Sequence, residues 1–135
     1  MGGRVSFPFY SVYNSTKWAV EGFSESLQYE LRPFNIRIKV IEPGVIETNF
    51  YSRSIETFQD DNTEVYDSHL QNSKKKMLNM KSSKPIIVAE TIFEAANDES
   101  WRLRYTADSD ARLLSLVRKF APDQLFFSIL RGRAF

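Results

Sequence analysis

The chain has 135 residues, enough for one domain with a hydrophobic core, and its formal net charge is +1. A balanced charge gives no global field that would favour nucleic acid or an anionic membrane as a partner. With 42% hydrophobic residues, no cysteine and no apolar run of membrane-spanning length, the composition predicts a globular, cytoplasmic protein without disulfides or cysteine metal sites.

The first strong element is a long amphipathic helix predicted over residues 11–32. Apolar residues recur at helical spacing from Val20 to Leu31, and Pro33 stops the pattern. The preceding residues contain Gly2-Gly3 and Pro8, which suit a turn followed by an extended loop.

Tyr13 and Lys17 lie four positions apart in this helix, which makes them neighbours on one face. An ammonium beside a phenol favours the phenolate and so lowers the pKa of the tyrosine. Such a pair is suited to general acid/base chemistry on a carbonyl or alcohol oxygen. Taken alone, the spacing is equally typical of an ordinary surface pair.

A short buried strand is predicted over residues 36–42, which alternate and are rich in β-branched residues. Pro43-Gly44 follows it directly. Ligands in open α/β sheets bind beyond the carboxyl ends of strands, so this turn is a candidate cofactor contact. The plainer interpretation is a simple strand-to-loop turn.

Residues 49–84 are polar and weakly periodic. Tyr51 and Phe58 either line an apolar pocket or belong to a small core of this segment. His69 is the only histidine, and we expect a solvated side chain and no metal site. Five lysines form the one basic cluster, which favours a solvated face over a site for phosphate or an acidic carrier protein: Lys74, Lys75, Lys76, Lys81 and Lys84.

The last third alternates helical and strand patterns. A helix is predicted over residues 85–96, a short strand over residues 102–106, and further helices over residues 111–120 and 124–130. Asp108-Ser109-Asp110 offers an N-cap for the second of these helices. The whole pattern predicts an α/β fold rich in helix.

Two motifs carry a family resemblance: Tyr13-x-x-x-Lys17 within YNSTKWA, and PGVIET at residues 43–48. On these motifs the chain resembles the classical short-chain dehydrogenase/reductase family, most closely its 17β-hydroxysteroid-dehydrogenase-like subgroup. The resemblance implies the C-terminal part of a Rossmann-like, doubly wound parallel sheet. It divides the chain into a catalytic helix, strand and nicotinamide turn (residues 1–48), a substrate lid (49–84), and C-terminal helices with the last strand (85–135).

The resemblance also implies a reaction. Hydride passes between the nicotinamide of NAD or NADP and a small-molecule carbonyl or alcohol substrate. Tyr13 handles the proton on the substrate oxygen, while Lys17 lowers the pKa of Tyr13 and hydrogen-bonds the cofactor ribose.

The family's other contacts carry over to the PGVIET turn. Pro43-Gly44 would lie against the nicotinamide, the Ile46 backbone would meet the carboxamide, and Thr48 would contact the carboxamide or the pyrophosphate. Substrate contacts are expected from Val45, with Tyr51 and Phe58 in the lid.

Two family features are not found in the sequence. The catalytic serine normally lies thirteen residues before the tyrosine, which would precede Met1, and the five glycines form no nucleotide-binding loop. We therefore expect the C-terminal half of such an enzyme, from a truncated reading frame or a split chain, and leave open whether it is active or inactive alone. It is expected to form a homo-oligomer or to pair with another chain through the helix at residues 11–32. The alternative is a non-catalytic truncated paralogue that acts as a dimerisation or interaction partner. Neither interpretation involves nucleic acid or a membrane span.

Overall fold

The structure is a computed structural model that describes residues 2–50 and 64–134. Its helices and strands follow one another in the order α1 (Ser11–Leu31), β1 (Val40–Glu42), α2 (Glu64–Leu78), α3 (Pro85–Asn97), β2 (Arg104–Thr106), α4 (Ser109–Phe120) and α5 (Asp123–Ala134). A 3-10 turn over Arg32–Phe34 follows α1 directly.

The two strands form a parallel pair in which Ile41 lies opposite Tyr105. The chain between them includes α2 and α3, so the parallel pairing is made by a helical crossover, as in α/β folds. Tyr105 is fully buried between these layers, with Leu103 and Ala95 beside it in the core. This arrangement confirms the predicted fold class, a helix-rich part of a Rossmann-like α/β architecture.

Strand β1 is shorter than predicted, because its ladder starts only at Val40. There the Val40 N–H donates to the Leu103 carbonyl at 2.7 Å, and the pairing with β2 begins with this hydrogen bond. Residues 36–39 lie before that point. They follow Asn35, whose left-handed φ of 55° turns the chain out of the 3-10 segment.

Helix α1 ends within one residue of its predicted limit, but its apolar stripe is not covered by the described part of the chain. Phe23 and Val12 are 66% and 78% exposed, whereas the buried positions of the helix are Asn14 and Ser24. The face of α1 that meets the sheet is therefore polar.

An ion-pair cluster attaches this polar face to β2. The Arg104 guanidinium donates to Glu21 at 2.9 Å and to Glu25 at 2.7 Å, and its Nε lies 3.9 Å from Glu42 on β1. One arginine thus joins α1 to both strands.

The C-terminal elements match their predictions closely. Helices α3, α4 and α5 occupy the expected segments, and Asp108 caps α4 by accepting from the Ala111 N–H at 2.7 Å. Helix α2 was not predicted, since its polar sequence carries little apolar periodicity. The three-part division of the chain stays a prediction.

Candidate active site

Helix α1 presents Tyr13 and Lys17 on one face, as their spacing predicts. The Lys17 ammonium lies 5.4 Å from the centroid of the Tyr13 ring. The ring also packs against Phe50, at 5.7 Å between centroids, and 39% of the Tyr13 surface stays exposed. The phenol is thus held between a cation and an aromatic wall, with access from one side.

The pKa of Tyr13 is shifted by burial in this structure. Partial burial raises the pKa of the Tyr13 phenol above its ordinary value, because the phenolate loses hydration. The Lys17 ammonium lies over the ring. The lowering of the Tyr13 pKa by Lys17 stays a prediction, and burial acts in the opposite direction.

A second wall comes from the turn after β1. The Gly44 N–H donates to Asp108 Oδ2 at 2.9 Å, and the other carboxylate oxygen of Asp108 caps α4. A Cβ on Gly44 would lie 2.0 Å from Asp108 Oδ2, so only glycine allows this close approach. The sequence offered Asp108 as one of three consecutive cap candidates but gave no signal for its bond to Gly44, 64 residues away.

The backbone beyond this turn is fixed by an isolated parallel bridge between Ile46 and Ser83. The Ser83 N–H donates to the Val45 carbonyl at 2.8 Å, and the Glu47 N–H donates to the Ser83 carbonyl at 3.0 Å. In a parallel bridge the two flanking residues make these bonds, so the Ile46 N–H points to the opposite side. Among the described residues no hydrogen bond engages the Ile46 N–H.

A cavity of about 340 Å³ joins the two walls. Five of the predicted site residues line it: Tyr13, Lys17, Pro43, Gly44 and Val45. Phe50, Met77 and Met80 close its sides, a contribution that the sequence did not predict.

The remaining predicted residues lie elsewhere. Ile46 and Thr48 do not line the cavity. The Thr48 side chain is exposed, and its hydroxyl oxygen accepts from the Phe50 N–H at 3.4 Å. Tyr51 and Phe58 fall outside the described residues.

The cavity has one buried acceptor and one charged donor that a ligand could engage. Asn14 lines it and is 3% exposed, yet within residues 2–50 and 64–134 its Oδ1 has no hydrogen-bond partner. A buried orphan acceptor is costly unless a ligand hydrogen-bonds to it. Together with the Lys17 ammonium as donor and the apolar side chains of Pro43 and Val45, it fits a ligand with hydroxyl and amide groups on a flat ring.

Comparison with known proteins points to one family. Residues 1–58 match the family model described as short chain dehydrogenase. The chain is 35% identical over 142 residues to the uncharacterized oxidoreductase YusZ of Bacillus subtilis, an alignment that covers 100% of this chain and 50% of YusZ.

The chain belongs to the short-chain dehydrogenase/reductase family. It is also 30% identical over 132 residues to dehydrogenase/reductase SDR family member 7B of Xenopus laevis, with 98% of this chain and 37% of that protein aligned. A shorter match, 36% over 75 residues, is to a 3-ketodihydrosphingosine reductase of Bacteroides thetaiotaomicron, and it covers 55% of this chain and 28% of that protein.

As a short-chain dehydrogenase/reductase chain, it spans about half the length of YusZ. Membership of the 17β-hydroxysteroid-dehydrogenase-like subgroup stays a prediction. Within residues 2–50 and 64–134, no helix combines the length and the apolar character that crossing a membrane requires.

Proposed function

We propose that this chain forms the nicotinamide end and the proton-transfer group of an oxidoreductase that interconverts carbonyl and alcohol substrates. The observation that carries the proposal is the cavity in which Tyr13 and Lys17 of α1 face the Pro43-Gly44-Val45 turn. Neither motif is specific alone, but the fold brings residues from two distant elements to one ligand-sized space.

In this proposal Tyr13 exchanges a proton with the substrate oxygen. Like any tyrosine, Tyr13 holds its proton at neutral pH and would donate it to a carbonyl oxygen. Because burial raises the pKa of this phenol and so makes it a weaker acid, the transfer relies on positive charge beside the ring. Lys17 supplies positive charge beside the ring and a donor for ribose hydroxyls. When the phenol gives up its proton, the nearby ammonium stabilises the phenolate that forms.

NAD or NADP is the proposed cofactor, and its nicotinamide would supply or accept the hydride. Pro43 and Gly44 would pack on the ring. The Ile46 N–H, which no hydrogen bond among the described residues engages, would meet the carboxamide. Asn14 Oδ1, which the sequence did not single out, is an additional acceptor for this group. Thr48 is exposed beside the turn and does not line the cavity. In this proposal it would contact the carboxamide or the pyrophosphate of the bound cofactor.

The substrate is proposed to be a small carbonyl or alcohol compound with an apolar body. Val45, Met77 and Met80 give the cavity apolar sides on the same space that Tyr13 faces. Tyr51 and Phe58 stay candidate substrate contacts from the segment before α2.

The test is a fluorescence titration of the folded 135-residue chain with NADH and NADPH. Lys17→Ala is expected to weaken binding by about tenfold or more, since it removes a charged hydrogen-bond donor. Lys119→Ala is the matched control, because Lys119 also lies over an aromatic ring, 5.5 Å from the centroid of Phe120, but outside the cavity. Equal effects of the two substitutions would contradict the proposed site.

A second function, pairing with another chain, is supported by the exposed apolar stripe of α1. We propose that this stripe forms a homo-oligomer contact or the contact with another short-chain dehydrogenase/reductase. Val20 and Phe23 are 54% and 66% exposed on that stripe. This pairing is compatible with catalysis, and by itself it would also serve a non-catalytic partner protein.

A further inference from the structure

The stretch from the middle of α2 to the start of α3 is strongly basic, unlike the rest of the chain. Residues 68–89 contain five lysines and no acidic residue, although the net charge of the whole protein is only +1. We call residues 74–86 the basic segment. It runs from the C-terminal turns of α2 into the first turn of α3.

Four of its five lysines are exposed: Lys75, Lys76, Lys81 and Lys84. No ion pair among the described residues engages Lys75, Lys81 or Lys84. Successive helical residues are about 100° apart around the axis, so Lys74 and Lys75 leave the helix in different directions. Cations spread in this way fit an extended anionic surface.

Apolar side chains are interleaved with these cations. Met80 is 40% exposed immediately before Lys81, and Ile86 is 58% exposed two residues after Lys84. Exposed apolar groups between lysines are typical of segments that lie in the headgroup region of a bilayer. The basic segment contains no arginine and no aromatic residue, the side chains that bind phosphates in bidentate fashion or stack on nucleic-acid bases.

The basic segment also borders the cavity of the candidate site. Met77 and Met80 line that cavity, and Ser83 is bonded on both sides to the turn that carries Ile46. A surface bound by this segment would therefore lie at one side of the cavity opening.

We propose that the basic segment docks the protein on an anionic lipid surface. Lys75, Lys81 and Lys84 would contact the lipid headgroups, and Met80 and Ile86 would insert at the interface. This docking does not depend on catalysis. A statement about the substrate does rest on the proposed function: if both hold, the substrate would be a membrane-dissolved carbonyl or alcohol.

The test is co-sedimentation of the 135-residue chain with lipid vesicles. Vesicles of phosphatidylcholine alone are compared with vesicles in which about a third of the lipid is phosphatidylserine, at low and high NaCl. Binding is expected only with phosphatidylserine and is expected to weaken as salt is raised, because the attraction is electrostatic.

Variants locate the surface. Lys75→Gln/Lys81→Gln/Lys84→Gln is expected to lower the partition coefficient by about tenfold or more, since each lysine near an anionic bilayer contributes separately. The control is Arg112→Gln/Lys119→Gln/Arg131→Gln, which removes the same charge from three exposed positions on α4 and α5 and should change binding less than about twofold.

Met80→Ser/Ile86→Ser should weaken binding several-fold at high salt, where apolar insertion dominates. Circular dichroism verifies that each variant is folded.

Three results would overturn the proposal. They are no vesicle binding by the folded chain, equal losses from the two triple variants, or binding that is the same without phosphatidylserine. Lysine-dependent binding of single-stranded RNA without binding of vesicles would assign the basic segment to nucleic acid instead.

Discussion

Tyr13 illustrates what a residue spacing can and cannot determine. The four-residue interval places Lys17 beside the ring, and the structure has that contact at 5.4 Å. The direction of the Tyr13 pKa depends instead on burial, which involves Phe50 and the residues around the cavity. The spacing of residues within one helix does not show which residues of other elements pack nearby. The contact of Lys17 with Tyr13 could therefore be predicted from the sequence, whereas the direction of the Tyr13 pKa shift could not.

A spectroscopic pH titration tests this protonation directly. The difference in phenolate absorbance between the unmodified chain and Tyr13→Phe is expected to show one tyrosine with a midpoint above 10, since burial disfavours the charged form. Tyr29→Phe, which alters an exposed tyrosine of the same helix, controls for the other phenols. A Tyr13 midpoint below 10 would mean that Lys17 outweighs burial, as the spacing alone suggested.

Gly44 is the residue whose replacement should be most costly in the turn. In Gly44→Ala the new Cβ would lie 2.0 Å from Asp108 Oδ2, so Asp108 has to move from both the Gly44 N–H and the cap of α4. Loss of a helix cap and of one charge-assisted hydrogen bond is expected to lower the free energy of unfolding by about 2–4 kcal/mol.

Urea unfolding measures this change, with Gly22→Ala as the control. Gly22 lies inside α1 with nothing within 4 Å of an added Cβ, so alanine there should stabilise the chain by about 0.5–1 kcal/mol. If both substitutions had the same sign, the account of the Gly44–Asp108 contact would be wrong.

At the scale of elements, apolar periodicity predicted most helices but not how α1 packs. The stripe that includes Phe23 suggested a buried face, whereas Asn14 and Ser24 are the buried positions. The reason is that Arg104 holds α1 through Glu21 and Glu25, a polar contact between residues about 80 positions apart. Helix α2 was missed for a related reason, because its polar sequence has little apolar periodicity of its own.

The exposed stripe of α1 gives a prediction about association. Phe23→Glu is expected to weaken self-association by about 30-fold, the effect of losing one large aromatic anchor from an interface. Phe93→Glu is the control, because Phe93 is 73% exposed on α3 and away from α1. Sedimentation equilibrium over a range of concentrations measures both variants. A purely monomeric chain, or equal effects of the two substitutions, would remove α1 as the contact.

At the scale of the whole molecule, family and fold class were the most predictable properties. The motifs at residues 13–17 and 43–48 were sufficient to indicate the family, and the parallel pairing of β1 with β2 agrees with it. The short motifs could not indicate which distant groups complete the cavity. Met77 and Met80 line it from the chain around the end of α2, and Asp108 holds the Gly44 turn from the start of α4.

For the whole molecule, we propose that this chain carries the nicotinamide end of the cofactor site. The contacts proposed for the ring and its carboxamide come from Asn14, Pro43, Gly44 and Ile46, and those for the ribose from Lys17. A ligand that carries only this end of the cofactor should therefore be sufficient for binding. Reduced nicotinamide mononucleotide is such a ligand.

The most direct test is to compare reduced nicotinamide mononucleotide with NADH in fluorescence titrations of the folded chain. Both are expected to saturate in roughly the millimolar range, with affinities within about threefold of each other and both weakened about tenfold by Lys17→Ala. Binding that is unaffected by Lys17→Ala, or no saturable binding of either ligand, would contradict the claim that Tyr13, Lys17 and the Pro43-Gly44 turn form this site.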